Sequence, residues 1–539
     1  MTRIAYVIPA NIVGASDQVI PPCMPMLGIA YLSAYLQKHA PGEFQEIAID
    51  CMLEAGTEVK PQGTIGIHGI AADQVIGLLR KDDPNYKPDI IAISAVSSKI
   101  KSVLKDYILR FRQVFPDACI VVGGNHVGIE KGALLIEFPE LDFCVTGEGE
   151  VTFFELARTV GASKTGPERL STIDGLIYRN NGVVTENAPR ALIENLDEIP
   201  FPNWSLFDME RYFANARKYH RESYNMRVPV LPMVTSRGCP FRCTFCAFPL
   251  IWGKQAKWRA RSPENVVSEM KHLITRFNIR EIHFMDDNIN VHKPRFIELC
   301  TRIINSGLRI KWAAVSGIGI KGLDREVLTL MKRSGAYRFV VGFESGSENT
   351  TRYIKRKYDR EEGLSAIREA KRLGFWTGGN FMIGFPYETA EDMRATKELA
   401  MQSGVDFLAL SIATPYPGTK MRDDFIKEGL LVDSFEADQF YGGWNLVHLS
   451  KNDVQSYSNR AQKTFLIKKL SLGTVMDILR KIHSWEDVVY TVQVMNKMLR
   501  IVLSGIFSGR FSYVAGWSGS RPSVAGKNGL IAIGSRRSP

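Results

Sequence analysis

Three cysteines stand close together in the stretch Thr235-Ser-Arg-Gly-Cys-Pro-Phe-Arg-Cys-Thr-Phe-Cys-Ala-Phe-Pro249, with three residues between Cys239 and Cys243 and two between Cys243 and Cys246. Three thiolates on one tight loop can ligate three irons of a cubane [4Fe–4S] cluster, which leaves the fourth iron without a protein ligand. An iron with an open position can chelate a small molecule, so the spacing points to chemistry more than to electron storage. A zinc site would ask for a fourth Cys or His at matching spacing, and none follows nearby. A disulfide framework needs an oxidising compartment, and no signal peptide is seen. Structural zinc and incidental cysteines are the alternatives to a cluster.

The elements that must hold this loop belong to a chain of 539 residues, long enough for three or four folding units. Hydrophobic residues make up 45% and charged residues 23%, an ordinary globular composition. No run of about 18 apolar residues is present, so no membrane span is predicted. Cys23, Cys51, Cys119, Cys144 and Cys300 stand singly in apolar or mixed stretches and read as reduced core thiols, which implies the cytoplasm. The formal charge of +11 is concentrated. Residues 211 to 261 hold eleven Lys or Arg against one acid, Glu222. That flank reads either as a solvated surface or as a docking site for something anionic, such as an acidic flavodoxin or ferredoxin.

An α/β fold follows from the alternation of short apolar strands with helical stretches. In residues 1–160, strands are predicted at Ile4–Ile8, Glu46–Cys51, Asp89–Ala95, Cys119–Val122 and Phe143–Thr146, with a helix from Pro25 to Leu36. This is a Rossmann-like (flavodoxin-like) parallel sheet, whose ligands bind beyond the carboxyl ends of the strands. The loops there are Ser94-Ala-Val-Ser97-Ser98, Gly123-Gly124-Asn125-His126 and Thr146-Gly147-Glu148-Gly-Glu150. Residues 161–227 read as a hairpin with Asn-Asn-Gly at its turn, then a proline-stiffened linker. From 228 to 430, strands near Leu231–Thr235, Glu281–Met285, Ile310–Val315, Phe339–Phe343, Gly379–Ile383 and Phe407–Ile412 alternate with helices, six βα units that resemble the partial (β/α)6 barrel of a known enzyme superfamily, with chemistry at the carboxyl ends of its strands. Ser262 caps the helix after the cysteine loop, and Thr389 with Asp392 caps another. Residues 431–507 form a C-terminal helical region expected to pack over the open side of the barrel. Its Lys463, Lys468, Lys469, Arg480 and Lys481 leave peripheral membrane contact open. Residues 508–539, rich in Gly and Ser, are expected to be disordered.

Cys239-x-x-x-Cys243-x-Phe245-Cys246, with an aromatic before the last cysteine, resembles the signature of the radical S-adenosylmethionine (SAM) superfamily. The resemblance implies that the open iron is chelated by the amine and carboxylate of SAM, whose reductive cleavage gives a 5′-deoxyadenosyl radical. It implies SAM contacts at Phe245, at Asp286 and Asp287 after the second strand, at Glu344 and Ser345 after the fourth, and at Gly384 and Pro386 after the fifth. The family's usual Gly-Gly-Glu is Asp286-Asp287-Asn288 here.

Upstream, Pro25-Met-Leu27-Gly28, Gly123-Gly124-Asn125-His126 and Gly147-Glu148-Gly-Glu150 are similar to the cobalamin-binding domain of B12-dependent radical SAM proteins. That likeness adds Ser94, Ser97 and Ser98 to the implied cobalamin contacts. Asp-x-His-x-x-Gly, which supplies a cobalt-ligating histidine elsewhere, is replaced by Pro9-Ala-Asn-Ile-Val-Gly14. A base-off cobalamin without a protein histidine is therefore implied, with His68 and His126 structural. The resemblance covers residues 1 to 430 and implies a cobalamin-dependent methyltransferase acting on an unactivated carbon of a small molecule. A B12-dependent oxidative cyclase without net methylation is the second enzyme reading, and an RNA- or protein-modifying enzyme the third. No RNA-binding module is recognisable, so no nucleic acid is expected. An iron–sulfur carrier or cobalamin sensor would leave the barrel and its strand-end carboxylates unexplained.

Overall fold

The computed structural model describes residues 1–14, 19–62, 65–162, 166–219, 224–251, 257–356, 358–431, 443–469 and 471–508, without the side chains of 472 and 501–508. The predicted disorder beyond 508 lies outside the described residues.

Strand Thr2–Ile8 sits between Phe44–Asp50 and Ile90–Ser94, followed by Cys119–Gly123 and Phe143–Val145, all parallel. Numbered along the chain, the order is 2-1-3-4-5, that of flavodoxin-like doubly wound sheets. Alternation of side chains along a strand feeds two cores. Ile4, Tyr6 and Ile8 pack with Ile29, Phe153 and Leu156 on one face. Ala5 and Val7 pack with Leu104, Tyr107 and Phe111 on the other. The first of these cores is continuous with that of the second domain, so the two domains share an apolar interior.

The predicted hairpin is present as Leu176–Asn180 and Val183–Glu186, turned by Asn181 and Gly182 at φ +49° and +82°. Rather than standing apart, it pairs antiparallel with Phe143–Val145 and completes a seven-stranded sheet. A separate three-stranded sheet of Asn11–Gly14, Ile65–His68 and Lys60–Gln62 is an element the sequence did not announce.

Six parallel strands follow in chain order: Val230–Met233, Glu281–Phe284, Lys311–Ile318, Ala336–Glu344, Trp376–Ile383 and Phe407–Ile412. Helices between them cover the outside. Pro263–Phe277 starts on Ser262, whose hydroxyl accepts from the Asn265 amide at 3.1 Å, and stops at Asn278 in the left-handed conformation. Val266, Met270 and Leu273 are its buried stripe, each worth about 1.5–3 kcal/mol of burial. Thr389 and Asp392 form the capping box of Ala390–Ser403, which ends at Gly404, φ +71°.

The C-terminal helix Lys451–Lys468 packs on the barrel's edge strand Phe407–Ile412, but the helices after it differ from expectation. Trp485–Ser508 lies beneath the barrel floor, not over its open side. Tyr490 stacks edge-on against Tyr337 at 5.5 Å and Trp376 at 5.6 Å, residues that begin their strands. The Lys481 ammonium donates to the Phe375 carbonyl at 2.8 Å and to Asp406 at 3.1 Å. Aromatic rings and a buried carboxylate at the strand starts offer these helices partners, and they take them. Among the described residues no helix is long and apolar enough to cross a membrane.

Candidate active site

The cysteine loop leaves the first barrel strand at its carboxyl end. Gly238 carries the turn at φ +86°, where a Cβ would meet the Lys257 carbonyl oxygen at 2.4 Å, so the loop closes only on glycine. Cys243 is buried, and Cys239 and Cys246 are half-buried. Burial pushes all three thiols up, Cys246 to about 12, and each feels the charge of a neighbouring thiol or carboxylate. Such thiols are poor free nucleophiles but become ligands once a metal charge stabilises the thiolate. Among the described residues no three such side chains form a ready-made cage for a single ion. A thiol-only, three-point donor set suits an iron–sulfur cluster better than zinc.

Arg356 stands beside this loop. Its charge opposes the burial that raises the Cys243 thiol, and its guanidinium lies 5.5 Å from the centre of the Phe241 ring and donates to the Gly342 carbonyl at 3.2 Å. Phe245 packs 5.8 Å from Phe385, which ties the loop to the fifth strand's end.

The strand-end carboxylates divide. Asp286 is buried and accepts from the Thr235 amide at 3.1 Å, the Thr235 hydroxyl at 2.8 Å and the Ser236 hydroxyl at 2.5 Å. It splints the start of the cysteine loop. Asp287 spends one oxygen on the Gly238 amide at 3.1 Å, and burial lifts its carboxyl to about 6. Glu344 sits at φ +62°, a strained conformation for a non-glycine residue. A Cβ on Gly342 would come within 2.4 Å of its Oε1, so the glycine makes its room. Burial raises its carboxyl against the opposing charge of Arg356, and among the described residues no donor hydrogen-bonds it. Glu344 is thus an unspent acceptor facing the loop's arginine. The Ser345 hydroxyl is bonded to Thr396 at 2.9 Å and accepts from the Ser347 amide at 3.1 Å. Gly384, at φ +88°, and Phe385 both donate to Glu388, at 2.6 and 3.1 Å. Pro386 accepts from the Val447 amide at 3.0 Å.

In the first domain, Ser94 pairs in register with Gly123, and Gly123 with Val145, which brings their following loops to one edge. Gly124 (φ +111°) presses on this neighbour: a Cβ there would meet the Ala95 carbonyl at 2.8 Å. Gly28, Gly124, Asn125 and Gly147 are exposed, a shelf without side-chain bulk beside the half-buried Leu27. The Ser97 hydroxyl accepts from the Lys99 amide at 3.3 Å. His126 is fully buried, its Nδ1 3.0 Å from the Ser98 hydroxyl, and burial lowers it to about 4. His68 is bound to the Gly56 carbonyl at 2.8 Å. Both imidazoles are buried.

Glu148 does not face the shelf. It takes Arg237 at 2.8 Å, Arg259 at 2.8 Å and the Ile193 amide at 2.7 Å, while Glu150 takes the other arm of Arg237 at 2.6 Å. Burial alone would raise Glu148; the two guanidiniums hold it below the usual carboxylate range. Arg237 lies two residues before Cys239, so this buried cluster locks the first domain onto the cysteine loop. Gly128 presses on the same segment, within 3.1 Å of Ile251 were it to carry a Cβ. The basic flank is largely paired within the chain. Arg211 pairs with Glu54, Arg217 with Glu210, Arg227 with Glu486, Arg237 and Arg259 with Glu148, Lys257 with Glu194 and Arg261 with Glu269. Arg217, Lys218, Arg242 and Lys257 are exposed, and Arg221 and Lys254 lie outside the described residues.

Sequence reasoning passed over Arg356, Arg237 and Glu388. Glu388 follows Gly384 by four residues, a signal for a loop-closing carboxylate, whereas nothing near Arg356 marks it.

A three-cysteine loop at the carboxyl ends of an open parallel barrel is the architecture of iron–sulfur enzymes that work on SAM. Residues 233–400 match the Radical SAM superfamily, and the chain belongs to it. It is 33% identical to an uncharacterized methyltransferase of Pyrococcus horikoshii over 80% of this chain and 84% of that one. It is 26% identical to the anaerobic magnesium-protoporphyrin IX monomethyl ester cyclase of Rubrivivax gelatinosus, over 77% and 68% of the two chains. Its fold matches that of TsrM, a radical SAM methyltransferase from Kitasatospora setae solved with cobalamin and a [4Fe–4S] cluster bound, with a TM-score of 0.66 at 16% identity, over 93% of this chain and 100% of that one.

Proposed function

We propose that the chain is a cobalamin-dependent radical SAM methyltransferase acting on an unactivated carbon of a small molecule. The observation that carries this reading is the junction at Arg237. One residue of the cysteine loop is held by two buried carboxylates of the flavodoxin-like domain, so that domain's loops and the cysteine loop are built as one unit. Chemistry that needs two cofactors needs such a junction. When bound, the cluster supplies the electron that cleaves SAM, and cobalamin supplies a methyl group to a carbon that ordinary SAM alkylation cannot reach.

The chain's own residues position and shield. Cys239, Cys243 and Cys246 hold the cluster, and Arg356 beside Cys243 balances its negative charge. Asp287 and Glu344 offer unspent oxygens to the cationic amine or the ribose hydroxyls of SAM. The backbone along Gly384 to Pro386, braced by Glu388, gives the adenine a flat edge. The exposed glycine shelf admits a corrin close to the backbone, and with His68 and His126 buried no imidazole is offered to the cobalt. Phe241, Met285 and Tyr387 stay exposed around the barrel mouth and suit a small organic substrate. Electrons come from a small carrier such as flavodoxin or ferredoxin.

The likeness to the tetrapyrrole cyclase favours a second reading, ring formation without net methylation. Turnover with methyl-deuterated SAM separates the two. The methyltransferase yields S-adenosylhomocysteine, 5′-deoxyadenosine and a deuterated methyl in the product; the cyclase yields 5′-deoxyadenosine alone with no methyl gained.

A further inference from the structure

Arg356 is held against the cysteine loop by backbone as well as by side chain. Helix Glu348–Tyr353 closes on Lys355, which takes φ +56° although it is not glycine. The Lys355 amide bonds the Arg352 carbonyl at 3.2 Å and the Arg356 amide the Thr351 carbonyl at 3.0 Å, the paired bonds of a Schellman close. In the same turn the Ile354 carbonyl accepts from the Thr244 amide at 3.4 Å, which fastens the helix end to the residue after Cys243. The guanidinium is then set by the Phe241 ring and the Gly342 carbonyl. Gly342 keeps the space open, since a Cβ there would come within 3.1 Å of the guanidinium and 2.4 Å of Glu344 Oε1.

What Arg356 lacks is an acid. It is half-buried, and among the described residues no carboxylate comes within ion-pair distance of it. A cation partly withdrawn from water is costly unless a negative group completes it. Three thiolates around a [4Fe–4S] core carry a net negative charge, which grows by one when the cluster takes an electron. A fixed cation beside Cys243 therefore favours the reduced state over the oxidised one.

We propose that Arg356 raises the reduction potential of the cluster on Cys239, Cys243 and Cys246, so that a weaker reductant can deliver the electron. The inference rests on the reading of those cysteines as cluster ligands. One unit charge at side-chain range is worth about tenfold in the reduction equilibrium. An arginine that served only to hold the carboxylate of SAM would change SAM affinity and leave the potential of the SAM-free cluster alone.

The test is a redox titration of the anaerobically reconstituted full chain without SAM, followed by the electron paramagnetic resonance signal of the reduced cluster. Arg356→Gln should make reduction about tenfold less favourable, a midpoint lower by about 59 mV for one electron. Arg356→Lys keeps the charge and should recover most of that shift. The midpoint belongs to each loaded cluster, so partial loading of a variant leaves the comparison intact. An Arg356→Gln midpoint equal to that of the unmutated chain overturns the proposal. So does an equal loss in both variants, which would trace the effect to the shape of the guanidinium and not to its charge. Failure of Arg356→Gln to bind any iron would make Arg356 a brace of the loop and overturn it as well. An unmutated chain that takes up no cluster would overturn both this proposal and the reading beneath it, an outcome seen before any variant is made.

Discussion

Asp286 and Glu344 end two strands of the same barrel and carry the same charge, yet the structure uses them in opposite ways. Asp286 accepts from the Thr235 amide and hydroxyl and from the Ser236 hydroxyl and holds the cysteine loop in place. Glu344 is kept at a positive φ and accepts no hydrogen bond among the described residues. A carboxylate that stabilises its surroundings is scaffold. One that the fold holds under strain and leaves unsatisfied is held for something else. Glu148 belongs with Asp286: it is a buried carboxylate whose work is to join two domains.

If this division is right, the scaffold carboxylates should cost stability and the unspent one should not. The largest effect is expected at Glu148→Ala, which leaves Arg259 buried without its counter-ion and should lower unfolding free energy by about 3–5 kcal/mol in denaturant titration. Asp286→Ala should cost about 2–3 kcal/mol by the same measurement, because the Thr235 and Ser236 donors lose their acceptor. A loss below about 0.5 kcal/mol at either position would break the contrast.

Glu388 sharpens it through pH. Burial raises its folded-state carboxyl to about 7, above the ordinary carboxylate value near 4.5. The folded state therefore binds the extra proton between those values, and stability falls as pH rises from about 4.5 to about 7. Glu388→Gln should flatten that part of the stability profile, and an unchanged slope would show that Glu388 does not cause it. The smallest effect on stability is expected at Glu344→Gly. Relief of the positive φ offsets the added chain entropy, so stability should stay level or rise by about 1 kcal/mol. SAM affinity, read by calorimetry, should fall by about tenfold, as for a lost hydrogen bond to a charged group. A large loss of stability with unchanged SAM binding would place Glu344 in the scaffold.

Much of the fold was legible because it rests on local pattern. The six barrel strands, the Ser262 cap and the Thr389 capping box are written in hydrophobic period and cap chemistry over a few residues. What could not be read is how each polar group is spent. That Asp286 closes on Thr235, that Ser345 turns to Thr396, or that Arg356 reaches Cys243 depends on chain segments brought together by the tertiary fold. The basic flank shows the same limit, since seven of its eleven cations find acids that lie elsewhere in the sequence or on other elements. The C-terminal helices showed their amphipathic faces, but a face does not say which end of a barrel it will cover. The left-handed backbone of Glu344 left no trace in residue type, because nothing but glycine or asparagine advertises such a position.

The central claim is that Cys239, Cys243 and Cys246 hold a cluster that cleaves SAM. Anaerobic incubation of the reconstituted chain with SAM and a strong reductant, with 5′-deoxyadenosine quantified by mass spectrometry, tests it most directly. The unmutated chain and Cys300→Ala should release 5′-deoxyadenosine, and Cys243→Ala should release none. Release by Cys243→Ala at the rate of the unmutated chain would contradict the account.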